Sequence, residues 1–187
     1  NISFFNNLKG LKILTIGRLT DQKDHITLLK AVLLLKLKYK INFKLYLIGR
    51  GHNYNVLKEF IDRNNLEKNV KLAGYKKEAY DYLKSSDLFI STSKYEGLPN
   101  TLIESQIANV PIIASNCPSG PSEILLDGKL GDLFKVGNYL DLAKRVNSFY
   151  KNKKSLKSKS YLAKKYIYRY DYKYNLDEYI KIIKKYL

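Results

Sequence analysis

The chain of 187 residues contains no methionine, no tryptophan, one cysteine, two histidines and four prolines. One cysteine excludes an internal disulfide framework and fits a reducing compartment. Cys117 has no histidine partner visible in the sequence, so it reads as a structural or loop cysteine rather than a nucleophile. No apolar run approaches the roughly 20 residues of a membrane span, and no leader pattern precedes the first strand, which makes a cytoplasmic location the expectation. Without an initiator methionine, a fragment or an excised domain is expected. Histidine and cysteine are too few and too scattered for a cluster at metal-ligand spacing, so neither a metal nor a cofactor is expected. Acidic residues are also scarce: 17 Asp and Glu face 34 Lys and Arg, a net charge of +17. The imbalance is concentrated over 144–187, with 14 basic against 3 acidic residues. A basic, tyrosine-rich tail suits a peripheral contact with an anionic membrane on its inner face, although drift in a chain rich in Lys, Asn, Ile and Tyr accounts for it equally well. No nucleic-acid motif accompanies it, and no nucleic-acid partner is expected.

Short apolar segments alternate with amphipathic ones along most of the chain. Strands are expected over 11–16, 43–48, 70–73, 87–91, 111–114 and, more weakly, 131–134; helices over 26–37, 54–63, 78–84, 101–108 and 138–150. Strands that alternate with helices, and that are apolar almost throughout, argue for an α/β fold: a doubly wound, Rossmann-like parallel sheet of about six strands with helices on both faces. Residues 1–9 read as a polar linker remnant, 10–150 as the folded α/β domain, and 151–187 as basic C-terminal helices introduced by a solvated Lys/Ser connector over 151–160. The last helix, around 176–187, spaces Leu176, Tyr179, Ile180, Ile183 and Leu187 along one face.

The densest chemistry lies in Ser93-Lys94-Tyr95-Glu96-Gly97-Leu98-Pro99-Asn100-Thr101-Leu102-Ile103-Glu104. A strand, a tight Gly/Pro turn and a helix start follow one another here, with Pro99 where its missing N–H costs nothing. A helix start collects unpaired N–H groups and partial positive charge, which suit a phosphate or sugar hydroxyls. Glu96 and Glu104 flank the turn, and a ligand that carries both a sugar and a ribose would use both. The plainer reading leaves Glu96 as a loop charge and Glu104 as a complement to the helix dipole. In open α/β sheets ligands bind beyond the carboxyl ends of the strands, and Gly17-Arg18, Gly49 to Gly51, Tyr75, 96–101 and 117–120 all fall there. Arg18 and Lys23 are candidate cations for a diphosphate, or ordinary surface charge in a lysine-rich chain.

The Glu96-x7-Glu104 spacing around Gly97-Leu98-Pro99-Asn100 resembles the signature of the retaining glycosyltransferases of family 4, which have the two-domain GT-B fold. Gly17-Arg18-Leu19 with Lys23-Asp24-His25 is similar to that family's Gly-Arg-Leu…Lys element. Cys117-Pro118-Ser119-Gly120-Pro121-Ser122-Glu123-Ile124 resembles a run found in its bacterial members that build lipid-linked and surface polysaccharides, and the likeness covers roughly 10–187. It implies the C-terminal, donor-binding half of an enzyme that moves a hexose or N-acetylhexosamine from a UDP-sugar to a glycan or lipid-linked acceptor held by an N-terminal domain. Glu96 would hold donor-sugar hydroxyls, with Arg18 and Lys23 on the diphosphate as the other catalytic groups. Glu104 would take the ribose, Tyr75 would border the uracil or else pack as a core tyrosine, and Gly17, Gly49 and Gly51 would allow close approach. The backbone of Leu98, Pro99, Asn100 and Thr101 would meet the sugar and the distal phosphate, with Asn100 orienting the turn. The Asp-x-Asp metal handle of the other glycosyltransferase fold is missing here, so the cations would neutralise the leaving group without a metal. By the same likeness, the terminal helices would cross back to the other domain. A nucleotide-sugar-binding module without turnover, or a GT-B epimerase acting on UDP-N-acetylglucosamine, remain as alternatives.

Overall fold

The computed structural model describes residues 3–186; Asn1 and Ile2 of the expected linker and Leu187 of the expected last helix lie outside the described residues. Six strands form one all-parallel sheet: β1 (Leu11–Ile16), β2 (Phe43–Ile48), β3 (Val70–Leu72), β4 (Leu88–Ser91), β5 (Ile112–Ser115) and β6 (Asp132–Phe134). They lie in the order β3-β2-β1-β4-β5-β6. The helices are α1 (His25–Leu37), α2 (Tyr54–Arg63), α3 (Ala79–Lys84), α4 (Asn100–Ile107), α5 (Pro121–Ile124), α6 (Tyr139–Lys151), α7 (Lys153–Lys164) and α8 (Tyr172–Ile183).

The sheet is covered on both faces, so its inner strands are buried along nearly their whole length, as parallel strands require. Ile13, Leu45, Ile90 and Ile113 point to one layer, where Leu28 and Leu35 of α1 meet Leu142 and Val146 of α6. Leu14, Tyr46, Phe89 and Ile112 point to the other, with Leu83 of α3, Leu102 of α4 and Ile124 of α5. The chain winds outward from β1 through β3, then returns to the opposite side of β1 to begin again with β4. The strand order therefore reverses between β1 and β4. The loops leaving these two strands diverge to helices on opposite faces and open a crevice at their carboxyl ends.

Three expectations are corrected. The segment 151–160 is not a solvated connector but most of α7. Leu156, Ser160 and Ala163 bury one stripe of it at intervals of four and three, and lysines between them mask a stripe that includes a serine and an alanine. The stretch before β1 is not merely polar: a 3-10 turn, Ser3–Phe5, buries Phe5 against Tyr46, their ring centroids 5.9 Å apart. The short α5 and a second 3-10 turn, Ile167–Tyr170, were not anticipated. Its predicted limits of 176–187 notwithstanding, α8 starts at Tyr172, where Asp171 caps the N–H of Tyr174 at 2.8 Å. Leu176, Tyr179, Ile180 and Ile183 of α8 stay exposed, and no helix among the described residues is long and apolar enough to cross a membrane.

Candidate functional site

The in-register pairing of β1 with β2, from Leu11 on Phe43 to Ile16 on Ile48, delivers Gly17 and Gly49 side by side at the carboxyl end of the sheet. The N–H of Gly17 donates to the carbonyl of Ile48 at 2.9 Å, and that of Gly49 to Gly74 at 2.9 Å. A Cβ on Gly49 would stand 1.8 Å from the Gly17 carbonyl oxygen, and one on Gly51 2.3 Å from that of Leu19. These two glycines are thus explained by how closely the loops after β1 and β2 approach each other.

The loops after β1 and β4 are stitched across the switch point. Lys94 N donates to the Gln22 carbonyl at 2.8 Å, Gln22 Nε2 to the Tyr95 carbonyl at 3.0 Å, and Thr92 Oγ1 to the Lys23 carbonyl at 2.9 Å. On the far side Glu96 N reaches the Pro118 carbonyl at 3.4 Å. Gln22 also receives Arg18 Nη2 on its Oε1 at 3.1 Å, so one amide orients a candidate cation and ties two loops.

Behind these loops lies a cleft of about 430 Å³, a size that suits a small organic ligand. It brings together Gly17, Arg18, Gly49, Tyr75, Thr101 and Glu104 of the expected residues. Arg50, Lys76 and Lys77 join them; sequence reasoning assigned these three no role, although each lies in a loop that leaves a strand's carboxyl end. Among the described residues Arg18, Arg50, Lys76 and Lys77 form no ion pair, and Glu104 has no partner either. Four free cations around one free carboxylate make the cleft electropositive, which suits an anion. Tyr75 is exposed at its rim rather than packed in the core.

Gly51, Lys23, Glu96, Gly97, Leu98, Pro99 and Asn100 do not line that wall. Leu98 and Asn100 face a second cleft of about 550 Å³ on the other flank of α4, where Glu104, Glu123 and Tyr170 also stand. Pro99 is buried as the N-cap residue immediately before α4, and Leu102 N closes the first turn on its carbonyl at 2.9 Å. Asn100 is exposed and contributes no side-chain hydrogen bond to the turn among the described residues. The N–H groups of Gly97, Leu98, Asn100 and Thr101 have no acceptor among the described residues. Gly97 has ordinary φ, and a Cβ there would meet nothing within 4 Å. No internal contact requires that glycine; the open space lies over a row of free donors.

Lys23 forms an ion pair with Glu96, and both side chains are largely enclosed. Ser93 Oγ donates to the same carboxylate oxygen, Oε1, at 2.6 Å. Ser93 is thus a further site residue that sequence reasoning did not single out. Cys117 lies nearby, a buried free thiol whose pKa burial pushes up, with Ser115 opposing; it is no thiolate nucleophile. His25 opens α1 beneath Gly17 and Arg18. Neither ring nitrogen makes a well-formed hydrogen bond, and the nearby backbone of Arg18 and Gly17 offsets little of the burial that drives its pKa down to about 4.

Known proteins resemble this chain in sequence and in fold. An uncharacterized glycosyltransferase of Methanocaldococcus jannaschii is 43% identical over 112 residues, 60% of this chain and 27% of that protein. The Campylobacter jejuni N-acetylgalactosamine-N,N'-diacetylbacillosaminyl-diphospho-undecaprenol 4-alpha-N-acetylgalactosaminyltransferase is 30% identical over 163 residues, 82% of this chain and 44% of that protein. The chain thus spans less than half the length of these curated relatives. Among solved structures, a Staphylococcus aureus TarM variant in complex with fondaparinux, alpha-GlcNAc-glycerol and UDP superposes with a TM-score of 0.82 at 27% identity, covering 92% of this chain and 35% of that one. The family described as Glycosyl transferases group 1 matches residues 3–185, and the chain belongs to it.

Proposed function

We propose that the chain is the donor-binding half of a retaining glycosyltransferase, and that the cleft at the β1/β4 switch takes a UDP-sugar carrying a hexose or N-acetylhexosamine. The observation that carries this reading is the gathering, on one cleft, of four unpaired cations with Glu104 and with Thr101, whose N–H is free at the start of α4. The UDP in the TarM complex supports it. In this reading Arg18 and Lys23 bind the diphosphate, assisted by Arg50, and Glu104 accepts the ribose hydroxyls. The N–H groups of Gly97, Leu98, Asn100 and Thr101 meet the sugar and the distal phosphate, and Glu96 accepts sugar hydroxyls. Tyr75 borders the base.

During transfer the bond between the anomeric carbon and the phosphate oxygen breaks, and the acceptor oxygen bonds to that carbon on the same face. The acceptor proton passes to the leaving phosphate. Preorganised cations and backbone donors stabilise the charge that develops there, which makes a divalent metal dispensable. The acceptor, a glycan or lipid-linked saccharide, would be held by a further domain of the parent protein. The relatives' names, which include a diphospho-undecaprenol-linked saccharide and capsular polysaccharide biosynthesis, favour that acceptor class. The basic segment from Lys144 onward would rest on the anionic inner face of the cytoplasmic membrane.

Titration calorimetry of the chain with UDP in excess EDTA is expected to give a saturable binding heat. A heat that appears only after magnesium or manganese is added overturns the metal-independent reading.

A further inference from the structure

Glu96 is not a free loop carboxylate. Its side chain is 8% exposed and that of Lys23 18%, so their ion pair stands largely out of water. Both the Lys23 ammonium and the Ser93 hydroxyl converge on Oε1, while Oε2 receives no hydrogen bond among the described residues. Ser93 is itself fixed from below: the Ser115 hydroxyl at the end of β5 donates to the Ser93 carbonyl at 2.6 Å, and both serines are fully buried. The backbone under Lys23 is tied to Thr92. One oxygen of Glu96 is therefore anchored to the protein, and the other is left for a ligand.

An ammonium this enclosed needs an anion beside it, and a carboxylate this enclosed needs donors. Without a ligand each satisfies the other. A bound diphosphate would be a second anion for the same ammonium.

Resting on the donor-site reading above, we infer that Glu96 and the donor's diphosphate compete for the Lys23 ammonium, and that Ser93 is the positioning residue that keeps Glu96 aimed at the sugar once the ammonium has turned to the phosphate. Bare UDP must then pull Lys23 away from Glu96 and leave that carboxylate short of donors. A UDP-sugar restores them through its own hydroxyls. The pair thereby favours a loaded donor over the spent nucleotide, a preference that helps to clear product.

The test is calorimetry of the wild-type chain, Glu96→Gln and Ser93→Ala with UDP, UDP-glucose and UDP-N-acetylglucosamine. Thermal melts establish that each variant is folded. Glu96→Gln removes the competing charge and is expected to tighten UDP by about threefold or more. Ser93→Ala is expected to weaken whichever nucleotide-sugar binds best more than it weakens UDP, shifting the ratio by about threefold. UDP affinity that is equal or weaker in Glu96→Gln overturns the competition while leaving the donor site standing. A Ser93→Ala loss equal for UDP and nucleotide-sugar reduces Ser93 to a structural residue and overturns its positioning role. No binding of UDP by the wild-type chain overturns both this inference and the donor reading beneath it.

Discussion

Ser93 and Ile183 occupy opposite surroundings to those their side chains alone would suggest: Ser93 is 1% exposed, whereas Ile183 is 40% exposed. At the switch point, polar groups are buried because they are paired. Ser93, Ser115, Lys23 and Glu96 satisfy one another, and the cost of removing them from water is met locally. In the C-terminal segment the relation is reversed. There α7 hides Leu156 and Ala163 beneath a lysine-rich exterior, and α8 displays Leu176, Tyr179 and Ile183 to solvent. What decides burial is whether a partner surface exists, so two adjacent helices of similar composition carry very different weight in the fold.

The sharpest way to break the comparison is at α7. Leu156 is 3% exposed and packs with the layer that contains α1 and α6. Leu156→Ala is expected to destabilise the chain by about 2–5 kcal/mol, the range for truncating a buried leucine. Chemical denaturation would measure it, and a loss below about 1 kcal/mol would return α7 to the status of a loose connector.

Next in size is His25, a buried group beneath the phosphate-side loop that no ion pair supports. Its pKa falls from 6.5 to about 4 on folding, so between these values the unfolded chain binds the extra proton. Stability from this group is complete above the unfolded value. It declines as pH falls from about 6.5 toward 4, by about 3 kcal/mol in total. His25→Gln is expected to flatten the dependence in that window. A variant whose melting temperature tracks pH as steeply as the parent's would show that other groups govern acid sensitivity.

How much of this could be read from the sequence depended on the range of the interaction concerned. The first two strands are bounded by Gly17 and Gly49 and are apolar along their length, so β1 and β2 fall at their predicted limits. The winding of the sheet also followed from local alternation. Arg18, Glu104 and Thr101 were legible because they sit at fixed offsets from a strand end or a helix start, and the structure gathers them on one wall. Ser93 was not legible. In sequence it is one more small polar residue in a loop, and its role depends on Ser115 and Lys23, 22 and 70 positions away. Arg50, Lys76 and Lys77 were hidden by a background of lysine that makes any one cation unremarked. Residues 151–160 misled for a related reason, because Ser160 and Ala163 bury well while reading as solvent-facing in a charged run.

A third experiment probes the switch-point side of the comparison. Among the described residues Arg18 has no carboxylate partner, and Gln22 orients its guanidinium. Arg18→Ala is expected to weaken UDP by about 1.5–3 kcal/mol and uridine by much less, because a charge-assisted contact to phosphate is removed. Equal losses for the two ligands would show that Arg18 does not touch the diphosphate.

The smallest expected effect is on α8, and it is the one that isolates an exposed face from a buried one. Tyr172, Leu176, Tyr179 and Ile183 project from one side of this helix, while Lys173, Lys181 and Lys184 lie on the other. No residue of α8 is buried, so Leu176→Ser and Ile183→Ser together are expected to change the stability of the chain by no more than about 0.5 kcal/mol. The same double variant carries all the basic residues of the parent. If α8 inserts its apolar face at a lipid surface while its lysines meet anionic headgroups, flotation with vesicles containing phosphatidylglycerol should fall in the variant, and parent binding should weaken as salt rises. Neutral phosphatidylcholine vesicles should recruit neither protein. A stability loss of 2 kcal/mol or more, flagged by a lower denaturation midpoint, would mean that α8 packs on the domain as closely as α7 does. Flotation that is unaffected by the double change would assign any membrane contact to the lysines of the C-terminal segment rather than to the apolar face of α8.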